Sequence, residues 1–173
     1  MIALLTVCAP RLRAMTALRL GVHLQRQGDE WLLDQDAPIT KTKRRLVLPV
    51  AEAAGAILDR YLAVERPELL GTADSDAVWI AQGGRALAYE TVSKRIRLRA
   101  QRRFGVAFGP HRFRTSLATS LALNAPDHPL DAAAILGHSN PAVTLKHYNR
   151  AKGHMAADRW SERLKDLRAQ YRI

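Results

Sequence analysis

Apolar positions along the chain follow two periods, and the change from one to the other outlines the fold. In the first twenty residues Leu12, Met15 and Leu18 recur near the helical period. Ala9-Pro10 divides this stretch into two helical pieces, because proline is tolerated at a helix start. Trp31-Leu32-Leu33, Leu46-Val47-Leu48 and Val78-Trp79-Ile80 are short apolar runs, which predict the strands of a small antiparallel sheet. Between the second and third runs, Ala53, Ile57, Tyr61 and Val64 lie at helical spacing with Pro67 beyond them, predicting a helix over 50–64. From Tyr89 onward the pattern is helical throughout, with breaks expected at 105–110, 124–129 and 137–141, where glycine, asparagine and proline gather. The fold class is therefore mainly α with a small antiparallel β-sheet, in a single domain over residues 1–173.

Two helical segments carry more than periodicity. Residues 94–103 (KRIRLRAQRR) hold six basic side chains and no acid, around Val92, Ile96 and Ala100 on one packing face. The last segment places Ala157, Trp160, Leu164, Leu167 and Tyr171 in an apolar stripe on a charged helix. Such a stripe either packs on its own domain or docks onto a neighbouring protomer.

Charge changes the picture once it is located. The formal charge of +11 arises entirely after residue 90, where sixteen Lys and Arg face five Asp and Glu, whereas residues 1–90 hold eleven of each. A surface of that kind suits a polyanion, above all nucleic acid, because each neutralised phosphate releases counterions. Cys8 is the single cysteine, so no intrachain disulfide forms and nothing suggests an oxidising compartment. The opening MIALLTVCAP is too short for a membrane span and runs into Arg11 and Arg13, so it reads as a core helix of a cytoplasmic protein.

Two stretches carry candidate chemistry: GPHRFRTS (109–116) and ILGHSNPAVTLKHYNRA (135–151). Gly109-Pro110 would open a helix and project His111 and Arg114 from one side of its first turn, a geometry suited to a phosphate. Arginine offers a planar fork of donors, and histidine gives or takes a proton near neutrality. In the second stretch Gly137 suits a left-handed helix cap, His138 follows it, and Tyr148 lies on the next helix.

Taken together and in order, these stretches resemble the signature of tyrosine recombinases and phage integrases: an H-x-x-R box, then L-G-H, then a tyrosine nine or ten residues later. The resemblance extends over residues 2–171. CAPRLRAMTALRL (8–20) is similar to the family's first arginine segment and puts Arg11 in the arginine position. Lys41, eight residues before Pro49, matches the family's hairpin lysine, with Lys43 as a fallback. The resemblance thus implies catalytic roles for Arg11, Lys41, His111, Arg114, His138 and Tyr148, with no cofactor or metal. His147, His23, His128 and His154 have no family role and read as surface residues.

What the resemblance implies is strand cleavage and rejoining through a 3′-phosphotyrosyl link. Arg11 and Arg114 would grip the scissile phosphate, His138 would add a hydrogen bond, Lys41 would protonate the leaving 5′ hydroxyl, and His111 would ease proton loss from Tyr148. Double-stranded DNA is the implied partner, and the implied assembly is a homo-oligomer on DNA with helix 155–171 as a protomer contact. The origin is bacterial or phage. Two departures stand out. Ala14 occupies the position of an acidic residue, and Ala9-Pro10 replaces Gly-Leu. With Arg11 so early, the family's clamp domain and opening catalytic-domain helices have no counterpart within residues 1–173. A non-catalytic DNA-binding remnant is the main alternative; a type IB topoisomerase-like relaxer and a purely structural helical module are two others.

Overall fold

The computed structural model describes residues 1–40, 43, 45–138 and 140–171, with the backbone alone of His147, Arg150, Ala151 and Tyr171. These residues form two compact units. One comprises Met1–Leu117 with Ile135–Gly137, the other Ala118–Ala134 with the chain from His138 onward.

In the first unit, helices α1 (Ile2–Val7) and α2 (Leu12–Thr16) flank the predicted Ala9-Pro10 break. They bury Leu4, Leu5, Leu12 and Met15. The sheet runs in the order β1 (Leu24–Gln27), β2 (Glu30–Gln35) and β3 (Leu46–Pro49), antiparallel throughout. Its register aligns Leu24, Leu33 and Leu48 in one row, so these side chains share a face turned to the core, as period-two alternation requires. Helix α3 (Glu52–Arg60) packs on β2 and on α1. Helix α5 (Tyr89–Phe104) packs against α2 and buries Val92, Ile96 and Ala100, the face expected from the sequence.

Three expectations for this unit need correction. Val78-Trp79-Ile80 is buried but belongs to no strand of the sheet. Its backbone is satisfied piecemeal: Val78 N donates to Leu18 O at 2.9 Å, Tyr61 Oη donates to Val78 O at 3.0 Å, and Leu87 N donates to Trp79 O at 2.9 Å. The third strand is instead β1, whose sequence LQRQ has one apolar residue; Gly28-Asp29 supplies the two-residue hairpin turn that pairs Gln27 with Glu30. Nor does the helical path stop before Pro67. A π-helical turn, Tyr61–Glu65, leads into α4 (Arg66–Leu70) with Pro67 as its second residue. Arg66 N reaches back five residues to Tyr61 O, and proline follows in the first turn of α4, where its missing N–H is best tolerated. His23, expected at the surface, is buried. Its Nδ1 accepts from Arg19 N at 3.1 Å, and its Nε2 lies 3.4 Å from Asp36.

Helix α6 (His111–Asn124) begins in the first unit and ends in the second. The second unit continues with α7 (Pro129–Ile135) and α8 (Pro141–Tyr171). The breaks between α5, α6, α7 and α8 fall where the sequence puts them. A small core of Ala122, Ala132 and Tyr148, with Leu121 against it, holds this unit together. On α8, Leu164 and Leu167 are half-buried and Trp160 is 59% exposed, so the apolar stripe is not fully covered. No helix of the described residues is long and apolar enough to cross a membrane.

Tyr61 ties the 78–80 run to the helix beside it, since it satisfies Val78 O and stacks 5.2 Å from the Trp79 ring. Tyr61→Phe should lower the unfolding free energy by about 1–2 kcal/mol, the cost of leaving a buried carbonyl unpaired, read from urea midpoints. An unchanged midpoint would show that packing alone holds the 78–80 run.

Candidate functional site

The chain's arginines do not scatter evenly over the first unit. A cleft of about 690 Å³ is lined by Arg11, Arg13, Arg97, His111 and Arg114, with Tyr89, Ser93 and Pro110 among its other walls. Among the described residues no carboxylate lines it. Each cation arrives from a different local device. Arg11 is the N-cap residue of α2, extended after Pro10. His111 and Arg114 project from the first turn of α6, behind Gly109-Pro110. Tyr89, Ser93 and Arg97 lie at i, i+4 and i+8 on α5 and so share one face. Arg13 caps the Tyr89 ring, with its guanidinium 5.4 Å from the ring centroid. Gly109 lies beside Arg97, where a Cβ would stand 3.4 Å from Arg97 Nε.

Arg114 is the most constrained of these groups. It is buried, and it donates from Nη1 to Ala9 O and from Nη2 to Leu136 O at 2.6 Å. Burial first, and the neighbouring positive charge of Arg11 second, push its guanidinium down to about 10. It therefore remains protonated at neutral pH, and among the described residues it has no carboxylate partner of the kind a buried cation ordinarily has. Two like charges held together with no acid between them, in a concave site, make a place for an anion. The residue at the position of the expected acid, Ala14, is buried and contributes only a methyl group to the cleft wall.

The second unit holds the other described candidates. Gly137, at φ +57, turns the chain at the end of α7, and His138 N closes that end by donating to Ala133 O at 2.9 Å. His138 Nδ1 lies 2.8 Å from Thr144 Oγ1. Asn140 caps α8, its Oδ1 accepting from Ala142 N at 2.9 Å, with Pro141 at the first helical position. Tyr148, on the second turn beyond, is 2% exposed and packs on Ala122 and Ala132. Its hydroxyl donates to His128 O at 3.3 Å. Desolvation, and then the negative charge of Asp131, hold its phenol above the ordinary value.

Arg11, His111 and Arg114 thus come together in one cleft, while His138 and Tyr148 belong to the other unit. Lys41 lies outside the described residues; Lys43 stands exposed at φ +52 in the connection before β3. The sequence singled out the basic run of α5 but not which of its arginines enters the cleft. Spacing from Tyr89 was the available signal. Thr144 was missed too, since a helical threonine carries no mark of its partner. Among the described residues no three His, Cys, Asp or Glu side chains are grouped as metal ligands.

If the cleft awaits an anion, filling it should stabilise the fold. Inorganic pyrophosphate at a hundred times its Kd should add about 2.7 kcal/mol, several degrees in Tm, beyond chloride at equal ionic strength. Arg11→Ala should abolish most of the gain. An equal gain in that variant would place the anion elsewhere.

Comparisons with known proteins bear on the whole chain. The phage integrase family matches residues 1–154. Tyrosine recombinase XerD of Pseudomonas aeruginosa is 30% identical over 172 residues, covering 99% of this chain and 52% of the relative. XerD of Pseudomonas putida is likewise 30% identical, over 173 residues and 52% of its length. The chain therefore spans about half the length of the curated relatives it matches. Among solved structures, XerA recombinase superposes with a TM-score of 0.70 at 18% identity, covering 99% of this chain and 57% of that one. The XerH site-specific recombinase in a post-cleavage complex with a palindromic difH substrate gives 0.72 at 19% identity, over 92% of this chain and 44% of that one. These likenesses establish the fold, and the family match, which runs over most of the 173 residues, shows that the chain belongs to the phage integrase family.

Proposed function

We propose that this chain is the catalytic portion of a site-specific DNA recombinase, which cuts and rejoins double-stranded DNA through a 3′-phosphotyrosyl intermediate on Tyr148. The observation that carries the reading is the acid-free cleft in which Arg11, His111 and Arg114 converge. In-line attack on a phosphodiester builds negative charge on the non-bridging oxygens, and fixed donors aimed at that charge are the largest source of rate.

The roles follow from that demand. Arg11 and Arg114 hold the non-bridging oxygens, and His138 donates a further hydrogen bond. The phenol oxygen of Tyr148 bonds to phosphorus as the bond to the 5′ oxygen breaks. The phenol proton passes to His111, and Lys41 supplies a proton to the leaving 5′ hydroxyl. Because the phosphotyrosyl link conserves the energy of the broken bond, a second 5′ hydroxyl reverses the step without ATP. Relatives named as recombinases, and a neighbour solved on its DNA substrate, support duplex DNA as the partner. The bacterial relatives support a cytoplasmic place of work.

Trapping tests the reading. The full chain, incubated with nicked duplexes tiled across the DNA flanking its own gene, should form an adduct that survives denaturant. Tyr148→Phe should abolish the adduct and leave salt-dependent binding intact. Arg11→Ala should slow adduct formation on the order of a hundred-fold. Salt-dependent binding with no adduct on any site would favour a non-catalytic DNA-binding module instead.

The stripe on α8 supports assembly on DNA as a homo-oligomer, with residues 155–171 meeting a neighbouring protomer. Trp160→Asp together with Leu164→Asp should leave single-protomer binding unchanged and remove the slower-migrating, multiply occupied complexes in gel shifts. Retention of those complexes would assign the stripe to packing within the chain.

A further inference from the structure

We infer that Thr144 is a positioning residue, which fixes the tautomer of His138 so that Nε2 carries the proton offered to a phosphate oxygen. The use made of that proton rests on the function proposed above; the tautomer itself rests on geometry alone. Thr144 lies in the first turn of α8 and is fully buried. Its Oγ1 is 2.8 Å from His138 Nδ1, and among the described residues this hydroxyl has no other partner.

A hydroxyl carries one proton to donate, whereas a neutral imidazole carries a proton on one nitrogen and a lone pair on the other. For the neutral ring, two arrangements fit the 2.8 Å contact. In one, Nδ1–H donates to Thr144, whose own O–H is then buried without an acceptor. In the other, Thr144 donates to the Nδ1 lone pair and its hydroxyl is satisfied. Buried donors are almost always satisfied, so the second arrangement holds and the imidazole proton sits on Nε2.

The contrast with other helical threonines in the chain sharpens this. Thr16 Oγ1 donates to Leu12 O, four residues back, at 3.1 Å, the usual local bond for a threonine inside a helix. Thr144 forgoes it and turns to His138. The segment between them is fixed at both ends, by His138 N on Ala133 O and by the Asn140 cap on Ala142 N, so ring and hydroxyl meet without a search. The chemical consequence is direct. A ring protonated at Nε2 presents a donor to a phosphate oxygen, while the other tautomer would present a lone pair to it and repel it.

The test reads the tautomer first. The full chain, with nitrogen-labelled histidine, is observed by long-range proton–nitrogen correlation near pH 8, with His138→Gln assigning the ring. Wild type and Thr144→Ser should show Nδ1 unprotonated and Nε2 protonated; the near-isosteric Thr144→Val should show the two tautomers mixed. A protonated Nδ1 in wild type, or an unchanged tautomer in Thr144→Val, overturns the inference. Cleavage supplies the second readout. Thr144→Val should slow adduct formation on the order of ten-fold at unchanged DNA Kd, and Thr144→Ser should restore it; equal losses in both variants would reduce Thr144 to a packing role and overturn the inference. Absence of any adduct in wild type would sink the recombinase reading while leaving the tautomer result to decide this one.

Discussion

The guanidinium of Arg114, buried between two backbone carbonyls, is the constraint on which the first unit depends. It draws Ala9, at the corner between α1 and α2, and Leu136, beyond α7, toward the first turn of α6. Burying a cation without a carboxylate is costly, and the depression of Arg114 to about 10 records that cost. Charge-assisted bonds to carbonyls return on the order of 1.5–3 kcal/mol each. The bond to Ala9 O falls on a residue at φ +40, a left-handed conformation that costs an L-residue roughly 1–2 kcal/mol. The two bonds together outweigh the backbone strain, and a strained corner becomes a fixed one.

Fixing that corner fixes Arg11, because Arg11 follows Pro10 directly and caps α2. The two arginines then line one cleft whose described lining offers no negative charge. Desolvation of Arg114 is already met in the folded state, so on the proposed reading a phosphate would meet donors that need not reorganise, the condition under which electrostatic stabilisation is strongest. An acid at position 14 would have balanced Arg11 and held it in place. With alanine there, only a methyl group meets the cleft wall.

Legibility in the sequence tracked locality. Glycine and proline act on their own backbone, so the breaks among α5, α6, α7 and α8 could be placed from residues 105–110, 124–129 and 137–141 alone. The pairing of His111 with Arg114 is a three-residue relation on one helix and was equally readable. What resisted reading is long-range or backbone-mediated. Arg114 finds its acceptors 105 and 22 residues away, on carbonyls that every residue possesses. Val78-Trp79-Ile80 looks like a strand because apolar content reports burial, not pairing, and its hydrogen bonds go to Leu18, Tyr61 and Leu87. Strand β1 was missed for the converse reason: a polar edge strand carries no apolar alternation, and only the Gly28-Asp29 turn betrays it.

Tyr148 poses the remaining physical question, because in its own unit the phenol is disarmed. It is neutral, its proton is committed to the His128 carbonyl, and desolvation and Asp131 both oppose ionisation. On the proposed reading, attack requires the ring to leave Ala122 and Ala132. Exposing a large aromatic side chain costs about 1.5–3 kcal/mol, and the lost hydrogen bond adds about 1 kcal/mol. That sum is small beside what several arginine–phosphate contacts supply at physiological salt. It is still large enough to keep the ring tucked away almost all the time without DNA. On that same reading, a nucleophile stored in this unreactive form is released by the substrate's own binding energy, so that cleavage waits on bound DNA.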